Sequence, residues 1–177
     1  MPKTCDNASV GVIITTQFDD GPRYLMFTRV TPPIGVAPCA GHVDDHGSPE
    51  DAAIAEVSEE LGLTVTRLNE AASGWLPNRC RRDSGSRGIG HQWTIFTAGV
   101  VGQITPSPRE AREPRWVTVA EIAALAGHTL SYGRGEVSPD EFAADPGLEP
   151  VWVVWLSRLG VLDATGGELD IIHQLYH

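Results

Sequence analysis

GHVDDHGSPEDAAIAEVSEELGL, residues 41–63, carries the clearest local signals in the chain. Ser48 is placed to act as an N-cap, Pro49 suits the first helical position, and Asp51 completes an S-x-x-D capping box. The run AAIAEVSEEL is rich in helix formers, and Gly62 stands where a C-terminal cap belongs. A helix over 48–61 behind a loop over 41–47 is therefore predicted. At about 100° per residue, Ala53, Val57 and Leu61 share one stripe, with Ile54 at its edge. Glu56, Glu59 and Glu60 gather on a different stripe. Like charges at this spacing destabilise an isolated helix by roughly a few tenths of a kcal/mol per pair. The trio is thus either a solvated face or a ligand set for a hard cation, whose charge would offset the repulsion.

Outward from this helix, the chain alternates strand and turn signals. Ser9 to Thr16 is apolar and β-branched, and the turn Asp19-Asp20-Gly21-Pro22 leads to a second strand, Tyr24 to Val30. Thr64 to Ala72, Trp93 to Val101 and the short Arg115-Trp116-Val117 read as further strands. A short helix over Val119 to Leu125 has Thr118 as its N-cap. Residues 127–149 are rich in Gly, Pro and Asp and admit a lid, a long loop or a small helical insertion. Within them, Tyr132 and Arg134 lie in a glycine-flexed stretch suited to a lid. Val151 to Leu159 is long enough to be a helix, with Trp152 and Trp155 read as core or interface. Residues 1–8 are expected to be a loose tail and 9–177 a single domain.

Composition narrows the function classes. A content of 41% hydrophobic and 20% charged residues is ordinary for a folded soluble protein. No run of about 18 apolar residues exists to span a membrane, and no secretory leader is evident, so a cytoplasmic protein is expected. The net charge of −10 argues against nucleic-acid binding, which needs a broad basic surface. It does not exclude a phosphorylated small molecule, because a bound cation reverses the local field. Lys3 is the single lysine against twelve arginines. Four of those, Arg79, Arg81, Arg82 and Arg87, lie in the glycine-rich NRCRRDSGSRGIG, where guanidinium groups suit bidentate phosphate contacts. Cys5, Cys39 and Cys80 form no C-x-x-C pair, which argues against both a disulfide framework and a cysteine zinc site.

Residues 41–63 resemble the Nudix box, G-x5-E-x7-R-E-U-x-E-E-x-G-U, where U is a bulky aliphatic residue. Seven of nine specified positions agree: Gly41, Glu56, Val57, Glu59, Glu60, Gly62 and Leu63. Gly47 stands where Glu is usual and Ala55 where Arg is usual. Asp44, Asp45 and Glu50 are the nearby acids available to replace the missing one. The E-x-x-W-V-T segment at Glu113 to Thr118 is also similar to many Nudix domains.

The resemblance implies an α/β fold, an α/β/α sandwich around a mixed sheet. It also implies hydrolysis of a phosphoanhydride bond in a nucleoside diphosphate-linked substrate, such as a nucleotide-sugar. Glu56, Glu59 and Glu60, with the Gly41 carbonyl, are then the ligands of Mg²⁺ (or Mn²⁺), and Glu59 or Glu60 shares the role of base. Glu136, Asp140 and Glu141 are alternative bases from a loop. Arg79, Arg81, Arg82, Arg87, Trp93 and Arg134 are the expected substrate contacts. His42 and His46 lie in the box loop near the expected metal. Three rivals stand beside this reading: a nucleotide sensor without catalysis, a diphosphate isomerase for which Cys39 is the one hint, and a plain structural domain. The apolar C-terminal segment is a candidate surface for a homodimer.

Overall fold

The computed structural model describes residues 4–44, 46–80 and 82–176. Seven strands form one mixed sheet: β1 (Ala8–Phe18), β2 (Gly21–Arg29), β3 (Val36–Ala37), β4 (Cys39–His42), β5 (Thr64–Leu76), β6 (His91–Val101) and β7 (Ala111–Thr118). Strand β1 is the spine. Its first half pairs in parallel with β6, from Ala8 against Gln92 to Ile14 against Ala98, and antiparallel with β4 on its other edge. Its second half forms the expected hairpin with β2, Phe18 facing Gly21. Strand β5 completes one edge against β6, and β7 and β3 flank β2.

Side chains alternate across β1 with a period of two, as a strand buried on both faces requires. Val10, Val12 and Ile14 point into one core layer with Leu25, Phe27 and Phe96, and α1 (Pro49–Leu61) covers it through Ala52, Ala53, Val57 and Leu61. Ile13, Met26, Trp93 and Ile95 point into the opposite layer. There α2 (Val119–Gly133), α4 (Pro150–Arg158) and α5 (Gly166–Gln174) pack, and α3 (Pro139–Ala144) lies beside α2. The outcome is an α/β/α sandwich around a mixed sheet. Ile54, read at the edge of the apolar stripe, is 45% exposed.

The helix α1 forms where its caps predict. The Ser48 hydroxyl accepts from the Asp51 backbone N–H at 3.1 Å, and Gly62 adopts φ 69°. The capping box differs in detail: the Ser48 hydroxyl itself donates to the Asp51 carboxylate at 2.8 Å.

Three expectations need correction. Residues 4–8 of the tail are anchored: Cys5 and Asn7 are buried, and the Asn7 amide donates to the Gly88 and Gly90 carbonyls at 2.8 and 2.7 Å. Of the three alternatives for 127–149, the helical one fits, with α2 running to Gly133 and α3 over Pro139–Ala144. Tyr132 belongs to α2 and stacks on Phe142 at 4.3 Å, so the lid alternative for this stretch gives way to packing. The apolar C-terminal run is α4, and its residues Pro150 to Leu156 are all buried within the chain. That leaves no exposed apolar stripe on α4 for a second copy.

Candidate functional site: an acidic cavity beside a thiol–imidazole cluster

A cavity of about 450 Å³ opens between α1, the end of β2, β4 and the segment linking β5 to β6. Its acidic wall carries Glu56, Glu59 and Glu60 together, as the helical spacing implied, and Glu110 from the segment before β7 joins them. Glu60 is 5% exposed; its Oε2 accepts from the Ala40 N–H at 3.2 Å. Glu56 lies so close to Gly41 that a Cβ there would fall 1.5 Å from its Oε1. Only glycine fits at that box position while Glu56 keeps this rotamer.

Burial and crowding raise the affinity of these acids for protons. Glu56 is pushed up to about 8 by desolvation and then by Glu60, Glu59 and Glu110. Glu60 is also pushed up to about 8, by desolvation first, against the lowering influence of Arg29 and of hydrogen bonds from Ala40 and Cys39. The Cys39 thiol, fully buried against Glu60, is held well above its ordinary value for the same reasons. The positive charge facing the acids therefore comes from Arg29 at the end of β2, whereas box position 55 holds alanine.

The remaining expected residues divide. Arg79, Arg82, Trp93, His42 and His46 line the cavity with the acids. Arg82 also pairs with Asp44 at 2.5 Å. Trp93 is mostly core, its Nε1 donating to Asn78 Oδ1 at 3.0 Å. Arg87 does not line the cavity; its guanidinium sits 4.4 Å over the Trp75 ring. Arg134 caps α2 away from the cavity, near Glu168 of α5, whose carboxyl is held low first by hydrogen bonds from Thr165 and then by this arginine. Glu141 is occupied in the capping box of α3, and Glu136 and Asp140 are exposed outside the cavity. Among the acids weighed for position 47, Asp44 is engaged by Arg82 and Glu50 is exposed in the first turn of α1. Asp45 and Arg81 lie outside the described residues. Arg29, Glu110 and the buried Glu149 were not singled out by sequence, because each lies in a separate segment with no motif around it.

A second cluster adjoins this cavity, which His42, Cys80 and His91 line. Cys5, His42, Cys80 and His91 bring one ligand-type atom each to within 4.8 Å of one another. Cys5 Sγ is 3.2 Å from His91 Nε2, and His42 Nε2 is 3.1 Å from Cys80 Sγ. Desolvation pushes the Cys5 thiol up to about 11 and lowers His42 to about 4, with Arg82 and His91 adding to the latter. The sequence reading against a cysteine metal site used ligand spacing alone, and here the four positions are far apart in sequence.

A match to the family model described as NUDIX domain covers residues 7–139, and the chain belongs to that family. A curated relative from Mycobacterium tuberculosis, named "Putative 8-oxo-dGTP diphosphatase 3", is 36% identical over 106 residues. That alignment takes in 56% of this chain and 46% of the relative, so the chain spans about half the length of the curated relatives it matches. Among solved structures, a NUDIX hydrolase from Nitrosomonas europaea superposes with a TM-score of 0.51 at 24% identity, covering 67% of this chain and 76% of that one. The NUDIX domain of Shewanella oneidensis NrtR complexed with ADP ribose does so with 0.51 at 16% identity, covering 69% and 77%. At these identities the solved structures speak for the fold. No helix among the described residues is long and apolar enough to cross a membrane.

Proposed function

We propose that this chain hydrolyses a phosphoanhydride bond in a small nucleotide derivative, with a divalent cation held by Glu56, Glu59 and Glu60. The observation that carries the reading is the gathering of these carboxylates on one cavity wall, two of them with strongly raised proton affinity. Carboxylates that hold protons because they are buried and, for Glu56, crowded by other acids fit a hard cation, which takes oxygen ligands and replaces those protons. The Gly41 carbonyl, beside Glu56 in the same wall, is a further candidate ligand. When bound, Mg²⁺ or Mn²⁺ neutralises diphosphate oxygens and lowers the pKa of a coordinated water.

The chain's own residues do the rest. Glu60 is held in place by the Ala40 N–H, which fixes one carboxylate oxygen before any ligand arrives. Glu59, exposed at the cavity, is placed to take a proton from an attacking water, a role it shares with Glu60. Arg79 and Arg82 line the same cavity as the acids and offer planar, bidentate donors to phosphate oxygens. The cavity suits a nucleotide-sized ligand. A nucleotide-sugar and a nucleoside triphosphate both carry the required bond, and the name of the curated relative favours the second.

A panel of nucleoside triphosphates and nucleoside diphosphate-linked compounds, assayed with Mg²⁺ and with chelator, tests the reading. Release of a nucleoside monophosphate that needs the cation is expected. Cation-dependent binding with every compound left intact would assign the chain to the nucleotide-sensing rival instead.

A further inference from the structure

We propose that Cys5, His42, Cys80 and His91 form a structural zinc site that fastens the segment between β5 and β6 to the box. The four residues come from four places: the segment before β1, the end of β4, the segment after β5, and the start of β6. Two separate thiol–imidazole hydrogen bonds would require only two close pairs. Here all four ligand atoms fall within 4.8 Å of one another, which is the condition for sharing one ion.

The spacing suits tetrahedral zinc. Bonds of about 2.3 Å to sulfur and about 2.0 Å to nitrogen give ligand–ligand edges of roughly 3.3–3.8 Å. The closest approaches, 3.2 and 3.1 Å, lie just below that range and must open slightly, and the widest must contract by roughly 1 Å. Two thiolates and two neutral imidazoles around Zn²⁺ carry no net charge, so the complex can be buried where an isolated ion could not. Cys5 and His91 are 3% and 2% exposed, and His42 and Cys80 are half-buried. Sulfur and imidazole donors in this set select zinc over the hard cations that carboxylates hold. Four protein ligands leave no open position, which makes the site structural.

The surroundings give the ion something to hold. The Cys5 N–H donates to the Asp83 carbonyl at 2.9 Å, and Asn7 binds Gly88 and Gly90, so the first segment already lies along the loop. Cys80 sits between Arg79 and Arg82 in a loop whose described residues, 77–80 and 82–90, form no helix or named strand. His42 follows Gly41 directly. One zinc therefore ties the arginine-bearing loop to the strand that leads into the box.

The test uses the full chain, purified under reducing conditions and incubated with zinc before desalting. Elemental analysis is expected to give about one zinc per chain, and well under about 0.1 in the Cys5→Ser/Cys80→Ser double variant. Cys39→Ala should keep its zinc. Cobalt(II) exchanged into the wild-type protein should show the intense visible bands of tetrahedral cobalt with thiolate-to-metal charge transfer. That spectrum decides the matter even if the double variant fails to fold. Zinc-free wild-type protein after reduction, zinc retained by the double variant, or a weak octahedral cobalt spectrum lacking charge transfer would each overturn the proposal. A Cys5–Cys80 disulfide whose reduced form takes up no zinc would do the same. None of these readouts depends on hydrolysis.

Discussion

Glu56, Glu59 and Glu60 come from two turns of one helix, whereas Cys5, His42, Cys80 and His91 come from four segments spread over eighty-six positions. Both sets line or adjoin one cavity. The first set is all hard oxygen and stays mutually repulsive until a cation or proton arrives; the second is sulfur and nitrogen, already satisfied pairwise. Helix geometry alone brings the acids together. Only the parallel pairing of β1 with β6, and the packing of the intervening loop, brings the thiols to the imidazoles. A site written in local spacing can thus be found by counting residues, and a site written in topology cannot.

The two walls should also respond differently when disturbed. The largest effect is expected from Glu60→Gln, which would remove a proposed cation ligand while keeping shape. Turnover of the best compound in the panel should fall by about 10²–10⁴-fold with an unchanged circular dichroism spectrum. Turnover within a few-fold of wild type would remove Glu60 from the chemistry.

Next in size is a pH effect confined to the acidic wall. Glu56 and Glu60 bind protons more tightly in the folded chain, at about 8, than at their ordinary 4.5. Their contribution to stability is therefore full below about pH 4.5 and is lost as pH rises through about 8. Melting temperature in chelator should fall between pH 6 and pH 9, and Mg²⁺ should lift the pH 9 value more than the pH 6 value. A fall of about 2–4 °C marks each kcal/mol in a chain of this size. A chelated melting curve that is flat or rises over this range contradicts the assignment.

A smaller change is expected for Arg79→Ala, which should raise KM by about tenfold and alter kcat little, as loss of one charge-assisted phosphate contact would. A fall in kcat with KM unchanged would move Arg79 out of ground-state binding. The smallest effects belong to Arg87→Ala and Arg134→Ala, both outside the cavity. Steady-state kinetics should stay within about twofold of wild type, and Arg87→Ala should cost no more than about 1 kcal/mol through its lost contact with Trp75. A tenfold rise in KM for either would redraw the substrate path.

Much of the fold was legible because its signals are short-ranged. Ser48 and Gly62 bracket α1, Thr118 starts α2, and Asp19-Asp20 turns β1 into β2. The acidic wall followed from three positions on one helix. Glycine left the reading of 127–149 open between helix, loop and lid. Gly127 and Gly133 lower helix propensity, yet α2 runs through both because Ile122, Ala126 and Leu130 bury its face against the sheet. Arg29, Glu110 and Glu149 reach the cavity from the ends of elements whose pairing had to be known first.

The family match ends at residue 139, but the sandwich does not. Trp152, fully buried on α4, lies so close above Gly11 that a Cβ there would fall 2.5 Å from its Cη2, and Glu149 and Val151 reach the cavity from the same helix end. A bare backbone position in the first strand and an indole near the far end of the chain are thus matched like tenon and mortise. Grafting this first strand onto a relative, or swapping in another protein's tail, would have to carry both halves of that joint together.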